Sequence, residues 1–235
     1  MLGFALAGGG SSWGLSEGLG GGRSDAVQFG AYGSRSFGQA YVSAALSYAL
    51  HRMTTDRTVT VSGADRLTAS FDAHSFGGRV EAGYRIATAG VGITLYGVLQ
   101  LQNFRTPAYT ESVVSGTGAF ALNYDARSTV TTRTELGAWF DKPFALKGGD
   151  VLALRSRLAW AHDHSSNQAV NAAFQTLPGT AFSVNGAAAA ADSALLSSGL
   201  ELRLANNVTV GARFDGEYAN RSQTYAGTGT VSYRW

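Results

Sequence analysis

The 235-residue chain contains no cysteine, and that absence alone removes a disulfide framework, Cys-ligated zinc, iron–sulfur clusters and a thiol nucleophile. Lysine is nearly missing too. Of 18 basic residues only Lys142 and Lys147 are lysine, the rest being arginine, whereas water-facing surfaces ordinarily carry lysine in quantity. Charged residues make up 14 %, against roughly 25 % in a soluble domain. No run approaches the 18 or so consecutive apolar residues of a membrane helix, and mean hydropathy is −0.01. The net charge of +2 is too weak a field to gather nucleic acid, which is set aside as a partner. No phosphate cradle or cofactor motif is present, so no cofactor is expected. The opening stretch MLGFALAGGG lacks the positive n-region of a signal peptide and its apolar run is short. It reads as a strand.

What the chain does have is alternation. Over 76–85, Phe76, Gly78, Val80, Ala82 and Tyr84 alternate with a row holding Arg79, Glu81 and Arg85, the period of a strand with two unlike faces. In 132–141, Arg133, Glu135 and Asp141 oppose Thr134, Leu136, Ala138 and Phe140; in 151–160, Arg155 and Arg157 oppose Leu152, Leu154, Leu158 and Trp160. Glu201 and Arg203 oppose Leu196, Leu200, Leu202 and Leu204. Arg213, Asp215 and Glu217 oppose Val208, Val210, Ala212, Phe214 and Tyr218, and Arg234 opposes Tyr225, Val231, Tyr233 and Trp235. Within each of these six segments all the charges, 14 in total, fall on one face, about one chance in 250 for independent placement with the face chosen afresh each time. Weaker alternation in 2–6, 26–35, 41–50 and 92–103 brings the expectation to about ten strands.

The connections alternate in length. Residues 36–40, 87–91, 142–150 and 205–207 are short, while 8–25, 52–67, 105–131 and 165–194 are long, with 219–223 the short exception. Tight turns at one rim and long loops at the other are the habit of a transmembrane barrel, which puts both termini on the periplasmic rim and the long loops outside. The Gly- and Ser-rich stretch 8–25 reads as a mobile loop. A soluble sandwich would turn its apolar rows inward and its charges to water. Against it, the charged rows interleave Gly77, Gly83, Gly137, Gly199 and Gly211 with arginine and acids but no lysine, as a crowded, self-neutralising lumen would. Tyr84, Phe140, Trp160, Phe214, Tyr218, Tyr225, Tyr233 and Trp235 gather near the ends of the apolar rows, where headgroup girdles belong. The fold class expected is an all-β, antiparallel transmembrane β-barrel.

The segments GGRVEAGYR (77–85), TRTELGAWFD (132–141), LRSRLAWAHD (154–163), AAFQTLPGTAFSVNGA (172–187), SGLELRL (198–204) and FDGEYANRSQTYAGTGTVSYRW (214–235) together resemble the C-terminal translocator (β) domain of bacterial autotransporters, the type V secretion proteins. The resemblance covers essentially the whole chain. It implies a twelve-stranded outer-membrane barrel crossed by a linker helix that leads to a secreted N-terminal passenger. Residue 1 would then begin at the third strand of the family barrel, so passenger, linker helix and first strand pair are expected upstream. Trp139 stands where the family's ELGAR-like pattern commonly has arginine. Val231, Tyr233 and Trp235 look like the C-terminal signal that such barrels present to the insertion machinery, a terminal strand able to extend a partner's sheet edge. The function implied is to anchor in outer-membrane lipid and enable export of the passenger. A passive porin or adhesin barrel and a rim-active hydrolase are the alternatives.

Candidate chemistry is sparse. Asp72 and His74 form D-x-H, and His162-Asp163-His164 precedes Ser165 and Ser166, groups able to activate water or a hydroxyl. Parity puts Asp72, His74, His162 and His164 on the lipid-side rows, with only Asp163 turned to the lumen. His162 and His164 share a face but supply only two metal ligands. The chain is therefore read as no enzyme, with no catalytic or metal residues. The residues expected to line the lumen are Arg79, Glu81, Arg85, Arg133, Glu135, Arg155, Arg157, Glu201, Arg203, Arg213, Asp215 and Glu217, pairing across strands and leaving little apolar surface to hold a polypeptide in transit. Segment 165–194, with five alanines at 187–191, reads as a long surface loop, with a hairpin above the membrane as the alternative.

Overall fold

Strands with one apolar and one charged row cannot bury both in water, and this chain resolves the conflict by turning the apolar row outward. The computed structural model describes residues 1–61, 63–88, 90–166, 169–186 and 190–233. Ten long strands form one antiparallel meander: β1 (Leu2–Gly14), β2 (Gly20–Phe37), β3 (Ala40–Val59), β4 (Asp65–Ala87), β5 (Gly92–Thr106), β9 (Arg127–Ala145), β10 (Val151–Ser165), β13 (Asp192–Arg203), β14 (Val208–Ala219) and β15 (Ser222–Tyr233). Five short strands lie in the connections: β6 (Tyr109–Thr110), β7 (Ser112–Ser115), β8 (Leu122–Tyr124), β11 (Ala169–Phe174) and β12 (Phe182–Asn185). The meander runs β1-β2-β3-β4-β5-β9-β10-β13-β14-β15, and β7 adds to the outer end of β4. Among the described residues β1 and β15 each pair on one side only, so the ten strands make an open half-barrel.

Burial is inverted relative to a water-soluble protein. On β9, Glu135 is 5 % exposed while its neighbour Leu136 is 61 % exposed. Val80, Tyr84, Leu158, Trp160, Leu200, Phe214, Tyr225, Val231 and Tyr233 are likewise exposed, the rows expected to meet lipid. Two aromatic belts are visible on single strands. Phe76 and Tyr84 of β4, and Tyr225 and Tyr233 of β15, are exposed and eight residues apart, roughly 26 Å along an extended chain and close to the ~25 Å apolar band of such barrels. Since ~9–11 residues suffice to cross, the 23 residues of β4 and 20 of β3 carry the wall well past the belt.

The surplus lies at the long-loop end, because the other rim is closed by tight turns. Gly38, first of the two residues between β2 and β3, has φ 63°, a conformation a Cβ would resist. Asn207, in the turn before β14, holds φ 67°, a value asparagine tolerates best among non-glycines.

The long connections differ from the sequence expectation. Segment 8–25 is mostly hairpin: β1 and β2 pair in unbroken register from Leu2↔Gly33 to Gly14↔Gly21, leaving only 15–19 between them. Gly and Ser carry no alternation, yet their amides and carbonyls ladder as well as any others. Segment 52–67 is largely the ends of β3 and β4, and 105–131 contains β6, β7, β8 and the start of β9. Within 165–194, β11 and β12 pair as a hairpin, so the alternative reading holds there; residues 187–189 of the alanine run lie outside the described residues. β12, β11, β8 and β6 form a second, four-stranded sheet, a cap built from two separate connections.

Candidate functional site

Cross-strand register decides which charges can meet. The twelve residues expected to line the lumen all fall on the face of the sheet opposite the apolar row, and ion pairs join them. Arg79 of β4 reaches Glu135 of β9 at 3.3 Å, passing over β5, and Glu81 on its own strand at 3.2 Å. Arg133 contacts Glu135 at 3.4 Å, Asp163 of β10 at 3.0 Å and Glu217 of β14 at 3.0 Å. Arg157 stands 3.8 Å from Glu135. Nearer the tight turns, Arg85 pairs with Asp141 at 2.5 Å, Arg203 with Glu201 at 2.6 Å and Arg213 with Asp215 at 2.6 Å. Three cations thus share the buried Glu135, whose charge would be costly alone. The contact from Arg133 to Glu217 spans two intervening strands, as side chains converging over a concave face would.

Arg155 is the exception: among the described residues it makes no ion pair. Its guanidinium lies 4.3 Å from the ring centroid of Trp139, with those of Arg157 and Arg213 at 5.3 and 5.4 Å. The indole occupies the position where a charge was expected and gathers cations on its electron-rich face. Aromatic rings also fill spaces left by glycine. Tyr41, Gly83, Tyr96 and Gly137 follow one another along a single rung, and a Cβ on Gly137 would meet Ala159 at 2.5 Å and the Tyr96 ring at 2.9 Å.

The concave face holds a cavity of about 880 Å³ at the tight-turn end, bounded by Gln39 and Tyr41, by Arg85, Asp141, Arg155 and Arg213, and by Thr228 and Thr230 of β15. The opposite end is roofed by the cap. Glu111, between β6 and β7, accepts hydrogen bonds from Arg57 Nε at 2.9 Å and Nη2 at 2.6 Å, and from the Leu122 amide at 2.9 Å. Gln175 donates to the Glu111 carbonyl at 2.7 Å, tying the β10–β13 connection to the same point. Phe71, Tyr109 and Tyr124 stack with centroids 4.0 and 4.6 Å apart. Leu67, Ala121, Leu122 and Ala172 are buried around this clamp. Burial pushes the Tyr124 hydroxyl up to about 12, with the Glu111 carboxylate adding to the effect.

The remaining candidates are placed as parity predicts. Asp72 sits on the outer face beside Arg52 at 3.6 Å, and His74 Nδ1 bonds Tyr48 at 2.8 Å. His162 Nδ1 and Trp160 Nε1 both bond Asp192 at 3.0 Å, and His164 is exposed. Asp163 faces inward, held by Arg133. No group of three or more metal-ligating side chains occurs among the described residues. Sequence reasoning missed Glu111, which carries no periodic signal, and His51, whose Nε2 lies 3.0 Å from Ser75 Oγ on the inner face. Among the described residues no carboxylate bonds His51, so no triad is assembled. Val231 and Tyr233 lie exposed on β15; Trp235 and Arg234 fall outside the described residues.

Comparison with known proteins meets this geometry from outside. The chain is 25 % identical over 213 residues, and 26 % over 217 residues, to two proteins named "Extracellular serine protease" from Serratia marcescens. Each match takes in 90 % of this chain but only 20 % of the relative. The crystal structure of the beta domain of the Bordetella autotransporter BrkA superposes with a TM-score of 0.65 at 16 % identity, covering 99 % of this chain and 90 % of that one, a likeness of fold. The family model described as "Autotransporter beta-domain" matches residues 1–215, and the chain therefore belongs to that family of outer-membrane β-domains.

Proposed function

We propose that residues 1–235 form most of the wall of a translocator barrel, which anchors in the outer membrane and gives an attached N-terminal passenger its route to the cell surface. The observation that carries this reading is the inverted wall: a lipid-facing apolar row backed by a concave face whose charges neutralise one another in place. A route for unfolded polypeptide needs a polar, wetted lining, since apolar surface would hold the chain back. Arg79, Glu81, Arg85, Arg133, Glu135, Arg155, Arg157, Glu201, Arg203, Arg213, Asp215 and Glu217 act as that lining, and none is assigned a catalytic role. The protease activity in the relatives' name is said of proteins five times longer than the shared segment. The tight turns face the periplasm and the cap faces outward. Val231, Tyr233 and Trp235 supply the terminal strand that the insertion machinery receives.

The one-sided edges of β1 and β15 would each leave a row of unpaired backbone groups in hydrocarbon, which is costly. Strands supplied from outside residues 1–235 are proposed to close the gap. Electrophoretic mobility of detergent-refolded protein, with and without boiling, tests this. The expected result is a heat-dependent shift once the natural upstream residues are included, and none or a weak one for residues 1–235 alone. Absence of a shift in both forms would defeat the barrel reading. Surface exposure of a fused N-terminal passenger, read by added protease on intact cells, then tests export.

A further inference from the structure

Of the four arginines that bound the cavity at the tight-turn end, Arg85, Arg203 and Arg213 each hold a carboxylate, Asp141, Glu201 and Asp215. Arg155 bounds the same cavity and is exposed; it holds no carboxylate among the described residues, and the Trp139 ring lies 4.3 Å from its guanidinium. Arg157 and Arg213 approach that indole as well, so positive charge concentrates around one ring while the acids nearby are already engaged. A guanidinium held over a ring can still turn its N–H fork to a carboxylate in bidentate fashion. Gly199 lies beside Arg155 on the neighbouring strand, and Thr228 and Thr230 of β15 line the same space together with Leu154 and Leu200. Its charged groups are what would tell an acidic occupant from a neutral one.

We propose that Arg155, positioned by Trp139, is a docking residue for a carboxylate on a polypeptide segment entering the barrel from its tight-turn end. The proposal rests on the translocator reading for the identity of the occupant and, for its chemistry, on a guanidinium that holds no carboxylate among the described residues and lies over the Trp139 ring. Trp139 acts through Arg155 and is a positioning residue.

The test uses the detergent-refolded barrel with its upstream residues included, in the form that shows the heat-dependent shift, and three fluorescein-labelled synthetic peptides of one length, glycine- and serine-rich, bearing four glutamates, four glutamines or four lysines. Fluorescence anisotropy is expected to show the glutamate peptide binding at least tenfold tighter than the glutamine twin, the order one charge-assisted contact supplies, with the lysine peptide weakest. Arg155→Gln should shrink the glutamate-over-glutamine ratio below threefold without moving the glutamine peptide. Trp139→Phe, which keeps a ring but weakens its pull on a cation, should fall between. Equal binding of the glutamate and glutamine peptides to the unaltered chain overturns the proposal, as does discrimination that survives Arg155→Gln. Displacement by free glutarate at matched carboxylate concentration would overturn the polypeptide assignment in favour of a small anion. The barrel itself is judged by its heat-dependent mobility and the docking by the peptide ratio, so each can fail without the other.

Discussion

At the residue scale, the chain depends on pairings between the smallest side chain and the largest. Gly137 is flanked on one rung by Tyr96 of β5 and Ala159 of β10, and the inner face there has no room for a Cβ. Gly137→Val would force the Tyr96 ring and Ala159 apart in the middle of the sheet, where neither strand can shift without slipping its register. Overpacking of that kind costs about 1–3 kcal/mol. The expected outcome is a lower urea midpoint for the refolded barrel and a smaller heat-resistant fraction, measured beside Gly227→Val on β15, where no heavy atom lies within 4 Å of the added Cβ. Equal loss from the two substitutions would show that strand propensity rather than ring packing governs the effect.

At the scale of elements, six strands were legible because each repeats its alternation over nine or more residues, long enough for the charges to declare a face, while 2–6, 26–35, 41–50 and 92–103 were marked by a weaker alternation without that sign. The parity argument also sorted Asp163 inward and His162 outward correctly. The cap was not legible. Its strands run from two to six residues, too short for any period, and its cohesion comes from Arg57 and Glu111, 54 positions apart. The partners within the charged face were equally hidden, since Arg133 meeting Glu217 depends on curvature. The cap should respond to alkali as a unit. Tyr124, pushed up to about 12 in the folded cap by burial first and by Glu111 second, titrates near 10 when released. The neutral phenol is therefore favoured by folding: its contribution is complete below about pH 10 and is lost as pH rises through the folded value near 12. A spin label at Val184, exposed on β12, is expected to gain mobility across that window, and Tyr124→Phe should move the transition upward. Identical transitions in both proteins would assign the alkaline change to another group.

At the scale of the whole molecule, most of the wall's large apolar side chains face outward, and its long strands bury mainly alanines with Tyr96, Val98, Leu67 and Leu195, too little apolar packing to set the curvature by itself. Curvature must then be held from the concave side by contacts that skip strands. Arg133 is the main one, linking β9 to its own Glu135, to Asp163 on β10 and to Glu217 on β14. Arg133→Met removes the cation from Asp163 and Glu217, while Glu135 keeps Arg79 and Arg157, a cost below the roughly 3–5 kcal/mol of a fully buried broken pair. Glu217→Gln removes one acid, keeps a hydrogen-bond acceptor and leaves Arg133 two partners, so its cost should be well under half as large. The expected order in denaturant midpoint is therefore unaltered protein, then Glu217→Gln, then Arg133→Met. If the two variants unfold together at neutral pH, the skipping contacts carry no more than their local pairs, and the bend of the sheet must come from strand twist alone.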